Sequence, residues 1–278
     1  MHRPGLGRRP LAERRHRRRP SRHRLVCLRP LAPRALASVP NLHMVSRDAQ
    51  KSVLKRLFPK WTWSVNGPLL AVAIAAAVAV GVLSAVVVMH PYLSLDATVQ
   101  RDIQATNLGP LTLTFPFFSW LGGRGGIYMQ AVVILLVLLL NRRAWMLTLA
   151  ALVGGLWYEI IVNLVNRPRP TVGQILRITE HPGSTSFPSG HLIFITISAA
   201  VLMLCLGYRY LPRWARPIGW LVVAAIVLAV GLDRIYTGTH WPSDVLAGVL
   251  IAVAWLAFVL SVRWISDPAF ASGKEHPA

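Results

Sequence analysis

The sequence predicts an all-α fold, a polytopic membrane protein with six transmembrane helices, and three observations carry that expectation. Of its 278 residues, 54% are apolar and only 14% charged, whereas about a quarter of an ordinary soluble domain is charged. Six apolar stretches of membrane-spanning scale, five of them without a charge, recur along the chain. The charge is also badly mixed: residues 1–60 hold 17 of the 30 basic residues and, as acids, only Glu13 and Asp48, so they carry +15 of the net +20. This composition excludes a disordered polyelectrolyte and argues against an ordinary soluble enzyme. Two cysteines, Cys27 in the basic tail and Cys205 within an apolar run, exclude a disulfide framework and read as structurally inert.

Residues 1–60 form a basic tail, read as disordered. Its run RRHRRRPSRHR has the composition to attract nucleic acid or anionic lipid. The plainer readings are a solvated arm with no specific nucleic-acid partner, or an untranslated stretch over residues 1–43, since Met44 opens a short basic lead-in to the first helix. Residues 61–264 form the membrane unit. Its first span, Gly67–Met89, runs 23 residues without a charge, long enough at about 1.5 Å per residue to cross a hydrocarbon core of about 30 Å. That run is too long, and the basic region before it too extended, for a cleaved signal peptide. Its alanines and Gly81 read as helix packing. The further spans are 125–140, 144–165, 191–208, 217–232 and 245–262. The second and fifth are short at 16 residues, so their ends should extend into flanking polar sequence or the helices should tilt little. Residues 265–278 are a C-terminal tail.

Alternating six spans places the basic tail, Arg142, Arg143, Arg209, Arg213, Arg216 and Arg263 on one side, which the distribution of Lys and Arg marks as cytoplasmic. Both termini are then cytoplasmic. The opposite side receives 90–124, 166–190 and 233–244, whose Arg101, Arg124, Arg167, Arg169, Arg177 and Arg234 form an excess of positive charge that needs a local reason.

Three segments on that side carry the chemistry: Arg167-Pro168-Arg169-Pro170, Pro188-Ser189-Gly190-His191, and Arg234 followed by His240 and Asp244. His191 and Arg234 are 43 residues apart, two spans with a turn, so the chain returns to the face it left. Guanidiniums offer planar forks of donors to phosphate oxygens. Ser189 and Gly190 open a helix, adding free N–H groups and the positive end of its dipole. His240 and Asp244 lie four apart at the start of the sixth helix, where the carboxylate can accept from one imidazole nitrogen and leave the other as nucleophile or base. His191 remains as the partner acid.

This trio, with Asp96 in the first outer loop and the run GTHWPSDVLAG around His240, resembles the signature of the type 2 phosphatidic acid phosphatase (lipid phosphate phosphatase) superfamily, whose core is shared with vanadium haloperoxidases. The likeness covers about residues 90 to 262. It implies that His240 attacks phosphorus and forms a phosphohistidine while Asp244 fixes its tautomer. It implies that His191 protonates the departing oxygen and then activates water. Arg169, Arg234, the Ser189 hydroxyl and the Gly190 N–H would hold the equatorial oxygens. The implied chemistry uses no metal and no cofactor, and the sequence shows no His/Cys or acid clustering of metal-site spacing. Two positions depart from the family pattern. Val162 stands where the family usually has a lysine, a role that either falls to Arg167 or goes unfilled, and Asp233 stands where a serine usually precedes the arginine.

The implied protein is a phosphatase of lipid phosphates or diphosphates in the plasma membrane of a bacterium, with its site at the extracytoplasmic face. Undecaprenyl diphosphate, phosphatidylglycerol phosphate and phosphatidic acid are its candidate substrates. A lipid phosphotransferase using the same histidine and a non-catalytic lipid-phosphate-binding protein remain alternatives. A transporter is disfavoured, because Glu159 is the one acid inside the spans. Glu159 either pairs with a motif arginine or stays in a helix contact. Glu180 and His181 read as ordinary loop residues, and His90 as an interface residue.

Overall fold

The computed structural model describes residues 64–180 and 183–271. The basic tail with Cys27, the Met44 start, His181 and residues 272–278 of the C-terminal tail lie outside the described residues.

Helix α1, Gly67–Met89, starts where the Asn66 side chain accepts from Leu69 N at 3.3 Å. A surface helix α2, Ser94–Ala105, follows. Then come α3 (Phe115–Gly122), α4 (Gly126–Leu140), α5 (Trp145–Leu152) and α6 (Leu156–Val165). After a long loop, α7 (Gly190–Leu202) continues through a π-turn at Met203–Gly207. The chain closes with α8 (Arg216–Tyr236), α9 (Pro242–Ser261) and α10 (Arg263–Phe270). Among the described residues there is no extended sheet, only isolated bridges.

Five of the six expected spans are long and apolar enough to cross a membrane, α5 and α6 counting as one, Arg142–Val165. The second is different. It is a pair, Gly109–Gly122 and Gly126–Leu140, bent by 79°. The Gly122-Gly123-Arg124-Gly125-Gly126 run at the elbow offers little resistance to such a break. At 15 residues, α4 is about 22 Å long, short of the hydrocarbon thickness. The bent pair is nonetheless tied near both ends of the α7 and π-turn segment. The Ser119 carbonyl of α3 meets His191 Nε2 at 3.1 Å, and Asn141, just after α4, donates to Cys205 O at 2.8 Å and Ala269 O at 3.2 Å. The fifth expected span grows to 21 residues and takes in Arg216, Asp233 and Arg234. The boundary expected at residue 264 falls inside α10, where Ser266 and Ala269 are buried.

Helix association in lipid depends on close packing, since the surroundings are as apolar as the interface. The shared core joins Val133 and Val137 of α4, Leu147 of α5, Ile193, Ile197 and Val201 of α7, and Ile251 and Leu256 of α9. Ala73, Ala76 and Val80 of α1 are buried, while Val72, Ile74, Val78 and Val82 are exposed. Gly81 corrects the expectation of packing: a Cβ there would meet nothing within 4 Å, and the residue lines an apolar groove of about 500 Å³ with Trp157, Trp255 and Phe258. Gly248 of α9 is the reverse case. A Cβ there would lie 2.6 Å from Ser189 O and 2.8 Å from Leu192 Cβ, so only glycine permits this crossing of α9 and α7. The crossing brings the start of α9 beside the start of α7, where Ser189 N donates to Asp244 O at 3.0 Å.

The arginine excess at this end has local reasons. Arg177 donates to Gln104 O at 2.7 Å and Tyr236 Oη at 2.5 Å, and Arg101 to Gln174 O at 2.7 Å. The buried amides of Gln100 and Gln104 in α2 donate to Ile235 O and Tyr236 O, tying that helix to the end of α8.

Candidate active site

All three motif segments converge at one end of the bundle, as span lengths require. Arg167 and Arg169 follow α6, Ser189 to His191 open α7, Arg234 ends α8, and His240 to Asp244 lead into α9. His191 Nε2 lies 3.4 Å from Arg234 Nη1.

His240 is 4% exposed. Its Nδ1 lies 2.7 Å from the Ser186 carbonyl; a carbonyl cannot donate, so Nδ1 carries the proton and Nε2 keeps its lone pair. Asp244 was the expected partner, yet its Oδ2 is 3.8 Å from Nδ1, beyond hydrogen-bond range. The Asp244 carboxylate is engaged elsewhere: Oδ2 accepts Trp241 N at 2.8 Å, closing the N-terminal cap of α9, and Oδ1 accepts Arg167 Nη1 at 2.6 Å. Burial lowers the His240 pKa from its ordinary 6.5; the Asp244 carboxylate opposes this, and the charges of Arg169 and Arg234 add to it. The imidazole therefore stays neutral at pH 7.

Arg167 corrects a second expectation, for it is not placed to take a phosphate. Its guanidinium is fully buried, with Nη2 2.7 Å from Asp96 Oδ2, Nη1 on Asp244 Oδ1 and Ser243 Oγ at 2.7 Å, and Nε on Pro91 O at 2.9 Å. Asp96 in turn accepts Ser243 N at 2.9 Å and Ser243 Oγ at 2.5 Å. The network ties the first outer loop, the end of α6 and the start of α9 together. Isolated buried charges are costly, and here each is paired.

Arg169 and Arg234 remain. Arg169 donates from Nε to Gly183 O at 2.8 Å and from Nη1 to Thr239 O. Burial lowers its pKa from the usual guanidinium value. Arg234, 1% exposed, is bound from Nε and Nη2 to Asp233 Oδ2 at 3.0 and 2.7 Å, from Nη1 to Glu180 Oε2 at 3.0 Å, and from Nη2 to Ser119 Oγ. Ser189 Oγ is buried with no hydrogen-bond partner among the described residues. The Gly190 N–H, at the first position of α7, has no carbonyl within the helix to reach. Val162, the position of the family lysine, is buried. Glu159 is exposed and forms no ion pair among the described residues.

Sequence reading missed three contributors, among them Glu180, which it took for an ordinary loop residue. Ser186 contributes a carbonyl, which every residue has. Ser119 arrives through the α3–α4 elbow, where Gly122 permits the approach: a Cβ there would sit 2.2 Å from His191 Cδ2. Glu180 had one signal, as the sole acid in the arginine-bearing stretch 166–190. Among the described residues no group of three or more His, Cys, Asp or Glu side chains is arranged to hold a metal ion.

A family model described as the PAP2 superfamily matches residues 127–267, about half of the chain, beginning after Asp96 and Ser119. An undecaprenyl-diphosphatase from Sulfolobus acidocaldarius is 27% identical over 146 residues, 51% of this chain and 65% of that protein. A decaprenylphosphoryl-5-phosphoribose phosphatase from Mycobacterium tuberculosis is 34% identical over 123 residues, 44% of this chain and 63% of that protein. The chain thus spans under two thirds of the length of these relatives. The crystal structure of a transmembrane PAP2 type phosphatidylglycerolphosphate phosphatase from Bacillus subtilis superposes with a TM-score of 0.55 at 20% identity, over 69% of this chain and 94% of that one, a likeness of fold.

Proposed function

The chain belongs to the PAP2 superfamily, and on that footing we propose that it is a membrane phosphatase acting on the terminal phosphate of a lipid phosphate or diphosphate. The observation that carries this reading is the state of His240. Its Nδ1 proton is held by the Ser186 carbonyl, leaving the Nε2 lone pair available near Arg169, Arg234 and the opening of α7.

His240 Nε2 attacks phosphorus, an N–P bond forms, and the bond from phosphorus to the departing oxygen breaks. His191 gives a proton to that oxygen. A water, deprotonated by the now neutral His191, then attacks phosphorus and releases His240 with inorganic phosphate. Arg169, Arg234, the unpartnered Ser189 hydroxyl and the Gly190 N–H hold the equatorial oxygens, where charge must be stabilised. Arg167, sequestered by two aspartates, acts through the fold, and Asp244 acts by capping α9 and anchoring Arg167. The scheme calls for no metal or cofactor.

Lipid substrates suit this position. A site at the ends of spanning helices lies at head-group depth, so a prenyl or acyl chain stays in the bilayer while its phosphate enters. The relatives named as an undecaprenyl-diphosphatase and a decaprenylphosphoryl-5-phosphoribose phosphatase support assaying undecaprenyl diphosphate alongside phosphatidylglycerol phosphate and phosphatidic acid. The basic residues at the other end support a reading with cytoplasmic termini and the site at the extracytoplasmic face.

The test is phosphate release from these three lipids by purified protein in detergent with EDTA present, for the wild type and His240→Ala. Release by the wild type and its loss in the variant support the reading. Substantial release by the variant removes the nucleophile, and a phosphorylated lipid acceptor in place of free phosphate makes the protein a transferase.

A further inference from the structure

Glu180 holds the arginine that a substrate phosphate needs. Its Oε2 lies 3.0 Å from Arg234 Nη1, and its Oε1 lies 3.5 Å from Nη2 and accepts Ser119 Oγ at 2.5 Å. The other edge of the guanidinium is taken by Asp233. A phosphate can therefore reach Arg234 only by displacing a carboxylate. Asp233 is fully buried on the same helix and has nowhere to go. Glu180 is different: its side chain is 35% exposed, and it lines a cavity of about 470 Å³ with Arg169, Thr171, Gly183 and Ser184. Rotation into that space returns the carboxylate to water at small desolvation cost.

The charges decide which anions can make the exchange. Without a ligand, Arg169 and Arg234 face Asp233 and Glu180. Replacing the single charge of Glu180 by another single charge gains nothing in Coulomb terms. The newcomer also competes with a carboxylate tethered beside its partner at a high effective concentration. An anion with two charges feels the net field of the cup twice over.

We propose that Glu180 is a specificity-determining residue, an internal competitor that keeps phosphodiester head groups off Arg234 and yields to a terminal phosphate carrying two negative charges. The need for such discrimination follows from the site's depth. Phosphodiester lipids crowd the same layer and carry one charge each, and they outnumber any lipid ending in a phosphate monoester. This inference rests on the phosphatase reading above for its biological sense, though the anion preference stands as a binding property.

The experiment compares wild type, Glu180→Gln and Glu180→Asp in mixed micelles. Inhibition of phosphate release is measured with phosphatidylglycerol, a diester, and with inorganic phosphate at pH 8, largely a dianion; thermal-shift titration with the same two probes reads binding without turnover. In the Gln variant the preference for inorganic phosphate over the diester should shrink about tenfold, while the Asp variant should keep most of it. An unchanged ratio, an Asp variant matching the Gln variant, or equal weakening of both anions, as expected if Glu180 merely holds Arg234 in place, overturns the proposal. A wild type that prefers the dianion in thermal shift yet releases no phosphate sinks the hydrolase and leaves the filter. Turnover with an unaltered ratio does the opposite.

Discussion

On one wall of the cup Arg167 joins Asp96 and Asp244 in a network from which water is excluded, while on another wall Arg234 is joined to Glu180, a carboxylate one-third exposed. Both are arginine–carboxylate pairings, yet they differ in what they permit. The Arg167 pairs cannot open without stranding charge in a dry interior. The Glu180 pair opens into a cavity, and its partner is released rather than stranded. A site that holds His240 still and admits an anion needs both kinds, and burial distinguishes them where residue type does not.

The sharpest way to break the contrast is Arg167→Met. Removing one partner of a buried pair costs about 3–5 kcal/mol, and here two carboxylates lose the same partner. The variant should lose at least that much stability in thermal unfolding in detergent, with phosphate release abolished. Arg167→Lys should fall only partly short of this, because an ammonium cannot fork to both aspartates. A stable, active Met variant would show that the network does not hold the start of α9.

Next in size is Gly122→Ala. The added methyl would lie 2.2 Å from His191 Cδ2, so His191 or the elbow must shift, and a misplacement of about 1 Å is enough to cost on the order of 100-fold in turnover. Stability should fall less than in Arg167→Met, since no buried ion pair is broken. Unchanged kcat would show that the elbow does not set the position of His191.

The smallest effect is a displaced titration. Burial lowers the His240 pKa, so on acidification from pH 7 the imidazole should remain neutral past 6.5 and gain its proton only below that value. NMR of the imidazole Cε1–H, assigned by comparison with His240→Asn, would follow it. A midpoint at or above 6.5 would mean that Asp244, 3.8 Å away, outweighs burial, and would move His240 toward an ion pair with it.

Legibility varied with the range of the interaction. The straight spans were readable because apolar length is local, and the fifth extended into polar sequence as its short run required. The bend of the second span was not readable: glycines at 122–126 marked a break, but only the contacts of Ser119 with His191 and of Asn141 with Cys205 and Ala269 show where its two ends are tied. Arg167 and Arg169 are two residues apart with identical side chains, and no local rule said which would be enclosed by aspartates 71 and 77 positions away.

The sequence by itself determined that this chain is a helical membrane protein and that its two histidines and three motif arginines share one end of it, because span length and alternation leave the chain no other route. The tertiary structure decided which arginine binds which acid, that Ser186 and not Asp244 receives the His240 proton, and that Glu180 covers Arg234. Those outcomes depend on how helices cross and where side chains meet over 54 to 77 residues of separation, and hydrogen-bond partners at that range are chosen by packing, which a linear pattern does not encode.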